Sequence, residues 1–507
     1  MAGYPSKMVG EHSWRDGQPR RFGSAAAVGP GTTGACRRGA ALLLAAFALR
    51  CWDFGNSVIH VDEQWYLLVG DGVLRGAVPY VDLWDRKPAG LFLLFAAIRL
   101  LPGDGVLAYQ LVATMFAAAT AIVIERGARR IGAAPRGAIA AGLLYLLGLE
   151  LLGGRGGQAP VFYDLPVALA GLIVLRLRDR RHVVGSGAVA CLVAGLAIQL
   201  KGTVAIEGAF IGLAHAWTLA RRGARPVRLA AAAVLWLLIG LGPTLAVAGW
   251  YARHGWSSQW WFANVTSIAL RPGYPVGQLS MRLLGIAALL SPMMACAALT
   301  WRTRAGETGA STRLAFGWLF AATVGFASIG TFFDHYALPL LAPLAICAAP
   351  TLGRLRRVAT AIIGVALLLI TVERASAPDD ASGARRVAAV VRANTRGGCP
   401  YVFAGDTITY LLARACTPTA YAFPNLLAYT TERGATGVDE AAEVRRILFR
   451  RPPVIVGTTR RLAIWNPASL WAVRIALAAD YRPVFSTPRA GWRTVVWLRR
   501  DLAYRAP

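Results

Sequence analysis

Residues 60 to 90 read HVDEQWYLLVGDGVLRGAVPYVDLWDRKPAG and hold five carboxylates and three Lys/Arg side chains between two apolar stretches. Adjacent acids such as Asp62 and Glu63 are costly at a membrane surface unless they are solvated or partnered. An ionised carboxylate there can take a proton from a hydroxyl. Arg86 and Lys87 stand just before the apolar run that starts at Ala89, well placed to hold a phosphate at headgroup level. Three more groups are isolated in apolar surroundings: Asp164 in FYDLP, Lys201 in QLKGT and His335 in FFDHY. Taken singly, each has a plain explanation: a solvated loop acid, a snorkelling lysine, a helix cap. Together, acids and cations near membrane depth suit a reaction on a lipid-linked substrate.

The elements that carry these residues follow from hydropathy. The chain has 507 residues, is 56% hydrophobic and has a mean hydropathy of +0.48. Apolar runs bounded by charge predict eleven membrane spans, near 39–55, 105–124, 137–152, 161–175, 183–200, 203–220, 229–252, 281–300, 314–330, 336–351 and 358–373. The run at 89–103 is short, contains Arg99 and ends in Pro102 and Gly103, so it reads as an interfacial or re-entrant helix. With the N-terminus inside, the loops 125–136, 176–182, 221–228, 301–313 and 352–357 hold 18 Lys/Arg in 46 residues, whereas the longer opposite loops hold 8. That asymmetry orients the chain. It puts the 60–90 stretch, Asp164, Lys201, the aromatic loop 253–280 and His335 on one outer face.

The net charge of +28 resides in short clusters between apolar runs, not in a continuous basic face, which argues against nucleic acid as a partner. Residues 1–38 are expected to form a flexible cytoplasmic tail, since the polar start resembles no cleavable signal peptide. From about residue 374 the pattern changes to short β-rich runs and the helical DEAAEVRRILF, a small α/β domain outside. No glycine-rich nucleotide loop occurs in it. Of seven cysteines only Cys399 and Cys416 fall outside by this topology; they bracket a strand, turn and helix that would return the chain to its start. A disulfide or two unpaired core thiols both fit.

The stretch VDEQWYLLVGDGVLRGAVPYVDLWDRKPAG resembles the first outer loop of GT-C membrane glycosyltransferases, in the bacterial branch (glycosyltransferase family 39-like) that includes relatives of the protein O-mannosyltransferases and the lipid A aminoarabinose transferase. The shared features are an acid pair after the first span, a G-x-x-P-Y-x-D pattern and a K-P-P-G opening to a juxtamembrane helix; here DRKPAG has Ala89 in place of the second proline. FYDLP, GLAIQLKGTVAI and FFDHYALPLLAPLAI resemble three further segments in the same order. The likeness covers about 39 to 373. It implies a GT-C-like transmembrane domain at 39–373 with an outer catalytic loop at 56–104, followed by the outer α/β domain at 374–507, in the inner membrane with the C-terminal domain periplasmic.

The resemblance further implies an inverting transfer of a sugar from a polyprenyl-phosphate donor to an acceptor hydroxyl, with membrane lipid as the surrounding partner. Asp62 is then the candidate base and Glu63 its neighbour in the catalytic set. Asp164 orients the acceptor, shares the base role or ligates a metal. Arg86, Lys87, Lys201 and His335 are the candidates for donor phosphate. Cofactors stay open: a divalent metal on His60, Asp62 and Asp164 can be drawn, although no helical His-ligand spacing supports it. Glu207 is a candidate buried partner for Lys201. A transporter or glycolipid flippase is the alternative; it would need polar groups at mid-span and internal repeats, and neither is evident.

Overall fold

The computed structural model describes residues 30–303, 309–377, 380–460, 462–489 and 491–507. Most of the expected N-terminal tail lies outside the described residues, and 30–38 are already helical. Helix α1 (Pro30–Arg50) leads to α2 (Val61–Leu74) and α3 (Ala89–Arg99). Then come α4 (Val106–Arg130), α5 (Pro135–Leu151), α6 (Ala159–Leu175), α7 (Val183–Ile198), α8 (Val204–Arg221) and α9 (Pro226–Arg253). Two short pieces, α10 (Ser257–Trp261) and α11 (Ser267–Ala269), precede α12 (Val276–Thr303), α13 (Ala310–Ala327), α14 (Leu338–Arg354) and α15 (Arg356–Ser376). All but α2, α3, α10 and α11 fall on the eleven apolar runs.

Five segments, Val106–Arg130, Pro226–Arg253, Val276–Thr303, Asp334–Arg354 and Arg356–Ser376, are long and apolar enough on their own to cross a membrane. Helices α5, α6 and α7 are shorter, at 17, 17 and 16 residues, and pack against their neighbours in the bundle. The architecture is a polytopic helical membrane bundle bearing a small α/β unit.

Helix α2 starts where the His60 side chain accepts a hydrogen bond from the Asp62 amide at 3.2 Å, an N-cap. Asp62 and Glu63 occupy its first turn, where the helix dipole favours negative charge. Helix α3 is only 11 residues long. Leu91, Phe92 and Phe95 bury one side of it, with the Tyr66 and Phe95 rings 5.5 Å apart. Its start is welded to the end of α7. A Cβ on Gly90 would collide with Gln199, and the Leu91 amide donates to the Gln199 carbonyl at 3.1 Å. This junction brings the Lys87 segment next to the Lys201 turn.

Beyond α15 come α16 (Asp380–Asn394), β1 (Tyr401–Val402), α17 (Ile408–Leu412), α18 (Pro424–Ala428), α19 (Glu440–Phe449), β2 (Val454–Thr458), α20 (Pro467–Asp480), β3 (Tyr481–Arg489) and β4 (Trp492–Arg499). The sheet order is β1-β2-β4-β3, with β1 parallel to β2 and the rest antiparallel. The β-rich reading of 399–423 reduces to the two-residue β1, because Thr407 starts a helical turn soon after it. The hairpin β3–β4 was not read from the sequence. Cys399 and Cys416 are joined, with their Cα atoms 5.0 Å apart. The unit rests on α2: Gln64 accepts from the Ile408 amide at 3.2 Å, and Trp65 stacks on Phe423 at 5.6 Å.

Candidate active site

Most of the charge in the 60–90 stretch is engaged in holding that stretch. Asp71 accepts from Arg75 on its own helix and from Arg99 on α3 at 2.9 Å. Asp82 accepts from the Val78 amide at 2.7 Å and closes the turn in which Tyr80 takes φ +70°. The Tyr80 hydroxyl then donates to the Lys87 carbonyl at 2.8 Å. Asp85 accepts from the Arg86 amide. Asp62 has no such structural partner on the stretch beyond its capping neighbour His60.

Asp62 instead faces a cavity of about 1070 Å³ whose wall also includes Lys87, Lys201, Arg271, His335 and Glu432. Its Oδ2 lies 4.0 Å from His60 Nδ1 and 4.0 Å from His335 Nε2. Burial alone would raise this carboxyl. Lys87 above all, with His60, His335 and Lys201, outweighs that and holds it well below the usual carboxylate range; burial pushes both imidazoles down, so the standing positive charge at neutral pH is chiefly that of Lys87. It is ionised at neutral pH. For Lys87, burial favours the neutral form, but Asp85, Tyr66, Asp62 and Tyr336 more than compensate and push it above the ordinary lysine value. Lys201 goes the other way: burial and the charge of Lys87 bring it down to about 7, against the pull of Asp62 and Asp85.

The cations sort by partner. Arg75, Arg99 and Arg155 each pair with a carboxylate outside the cavity. Lys87 lies over the Tyr66 ring at 5.3 Å and Lys201 over the Tyr336 ring at 4.9 Å. Among the described residues neither lysine has a carboxylate at ion-pair distance. They remain available to an anion.

Arg86 does not. It pairs with Glu432, donates to Ser267 Oγ at 3.1 Å and to the Ala435 carbonyl at 3.1 Å, and rests on Trp84 at 5.0 Å. Its guanidinium lines the cavity but is engaged by these contacts, and it clamps the loop to the C-terminal unit. Arg271 donates to the other Glu432 oxygen at 2.8 Å and lines the cavity. The sequence reading missed Arg271. Its signal was positional: it is one of the few cations that break the positive-inside bias.

Glu63 and Asp164 are not on the cavity wall. Glu63 is fully buried beside the Gly157 amide and Tyr109; burial pushes it up to about 7, against those contacts and Arg50. A Cβ on Gly156 would overlap its carboxyl and one on Gly157 would collide with the Tyr109 ring, so both positions are held to glycine by close packing. Arg50, 1% exposed, holds the GGRGG run at 153–157 through the Gly154 carbonyl at 2.8 Å and the Gly156 carbonyl. Asp164 is 2% exposed in α6 and accepts from the Tyr145 hydroxyl at 3.1 Å. Glu207 accepts from Trp318 Nε1 at 2.7 Å and forms no pair with Lys201, because it lies one helical turn inside α8.

The metal set His60, Asp62 and Asp164 is therefore not assembled. Asp164 is elsewhere, and His60 Nδ1 already accepts the Asp62 amide and meets Gln158. Among the described residues no group of three His, Cys, Asp or Glu is placed to hold a metal ion.

Compared by sequence, the chain matches no protein-family model and no curated protein. Compared by structure, it superposes on ArnT from Cupriavidus metallidurans bound to undecaprenyl phosphate with a TM-score of 0.61 at 16% identity, covering 94% of this chain and 99% of that one. The fold is GT-C. The apo form of the same ArnT gives a TM-score of 0.61 at 15% identity, over 92% of this chain and 98% of the other. The structural likeness thus spans the bundle and the C-terminal unit, whereas the motifs alone reached only to about residue 373.

Proposed function

We propose that the protein is a membrane glycosyltransferase that moves a sugar from a polyprenyl-phosphate donor to an acceptor hydroxyl, with inversion, at the outer face of the inner membrane. The observation that carries this reading is the meeting, in one cavity, of an ionised carboxylate with two lysines that have no carboxylate at ion-pair distance among the described residues. The positive-inside distribution of Arg supports the outer placement. A GT-C fold shared with an ArnT structure that holds undecaprenyl phosphate supports the donor class.

In this reading Lys87, Lys201 and Arg271 hold the donor phosphate and neutralise the charge that builds on it as the C1–O bond breaks. The polyprenyl phosphate leaves with the bonding electrons. The acceptor oxygen attacks C1 from the opposite side, and Asp62 takes its proton. The cationic surroundings keep Asp62 ionised, at the cost of basicity. His335, 4.0 Å from Asp62, orients that carboxylate or meets the phosphate. Glu63 and the 153–157 run position α2 from behind. No step requires a metal from these residues.

The test is transfer from a polyprenyl-phosphate sugar in detergent or liposomes, with Asp62→Asn beside the wild type. Transfer by the wild type and its loss in a folded variant support the reading. Equal transfer by both, or passage of glycolipid across liposomes without transfer, overturns it.

A further inference from the structure

A second cavity, of about 430 Å³, lies at the opposite end of the bundle, between the end of α6 and the start of α7. Helix α7 separates the two sites: its 16 residues run from this cavity to the Lys201 turn, about 24 Å at 1.5 Å per residue. The rim carries Arg180, Arg181 and His182, and Ser186 stands one turn into α7. Below them Ile173 and Val189 make an apolar wall, and Val189 is 55% exposed toward the bundle surface.

The backbone of the rim is held by one side chain. Arg222 donates to the carbonyls of Leu177 at 2.8 Å, Arg178 at 3.3 Å and Arg180 at 2.6 Å. The local acid, Asp179, is already paired with Arg130 at 2.5 Å. Arg180 and Arg181 have no carboxylate partner among the described residues. His182 caps α7 without a side-chain hydrogen bond, and the helix begins at the rim, where its dipole favours an anion. Positive charge is crowded here: burial and the charges of Arg180, Arg126 and Arg130 pull the Arg176 guanidinium below its ordinary value.

We infer that this cavity binds an anionic phospholipid: the phosphodiester sits among Arg180, Arg181 and the α7 amino terminus, and the acyl chains run down Ile173 and Val189. A polar mouth above an apolar wall open to the membrane is the shape of a lipid, and basic pockets between helices at the cytoplasmic surface are suited to such headgroups. A free phosphate would use the same rim but not the wall.

The experiment is native mass spectrometry of the full chain in nonionic detergent, titrated with phosphatidylglycerol or phosphatidylcholine of matched chains. The wild type is expected to prefer phosphatidylglycerol by about ten-fold or more. The double variant Arg180→Ala, Arg181→Ala, which keeps every backbone bond to Arg222, should lose most of that preference. The exposed pair Arg356→Ala, Arg357→Ala should keep it. Unchanged preference in the first variant overturns the site, and equal losses in both variants assign the effect to diffuse surface charge instead. Competition by glycerol phosphate at concentrations equal to the lipid overturns the lipid assignment in favour of a small-anion site.

Discussion

Asp62 and Asp164 are both candidate site acids from the sequence, yet they sit in opposite circumstances. Asp62 opens α2 beside two histidines and faces unpaired lysines across a cavity. Asp164 lies inside α6, answered by one tyrosine hydroxyl and walled off from that cavity. The difference teaches that what an acid's charge meets, and not its sequence surroundings, separates a candidate base from a packed one. The same holds for cations: among the described residues Lys87 has no carboxylate at ion-pair distance, whereas Arg86, one residue away, is paired with Glu432.

The sharpest way to break this comparison is to neutralise each acid in turn. Asp62→Asn should lower the transfer rate about 10²-fold or more, the usual scale for removing a general base. Asp164→Asn should leave the rate within a few-fold and lower the thermal midpoint, since it weakens a buried hydrogen bond. Equal loss from both would return Asp164 to the chemistry.

Next are the cations. Lys87→Ala and Arg271→Ala should each raise the donor KM by roughly 10-fold to 100-fold, the scale of a charge-assisted contact. Arg86→Ala should act mainly on stability, because it releases Glu432. Donor kinetics and thermal unfolding of the three variants separate the roles, and a donor KM for Arg86→Ala matching that for Lys87→Ala would collapse the distinction.

Glu432→Ala leaves two guanidiniums without their carboxylate. Breaking such a partly buried bridge should cost about 2 kcal/mol, read as a lower unfolding midpoint and faster proteolysis at 430–440. Full stability would mean that the C-terminal unit is held by its apolar contacts alone.

A smaller effect separates Lys201 from Lys87. Because Lys201 titrates at about 7, its positive charge fades as pH rises through that value, while Lys87 stays charged. The donor KM should rise several-fold between about pH 6 and 9, displaced upward once the phosphate is bound, and Lys201→Arg should flatten the profile. Asp62, held low, should add no acid limb above the ordinary carboxylate range. A flat wild-type profile would place Lys201 outside donor binding.

Hydropathy and charge by themselves determined the helical membrane class, the positions of the eleven helices and the orientation we propose, because burial in lipid demands long apolar runs and leaves few places for charge. Composition also marked the α/β character of the C-terminal unit, and the loop motif singled out Asp62 and Lys87. The tertiary structure alone decided which charges are engaged. Asp71, Asp82, Asp85 and Arg86 look as chemical as Asp62 in the sequence; their partners Arg99, the Val78 amide, the Arg86 amide and Glu432 lie up to 346 residues away. Arg271 and the closure of the cavity by the 423–432 segment depend on contacts between remote parts of the chain. An ionisable side chain carries no local record of its counter-charge, and an interaction set by packing at a distance cannot be read from its own neighbours in the sequence.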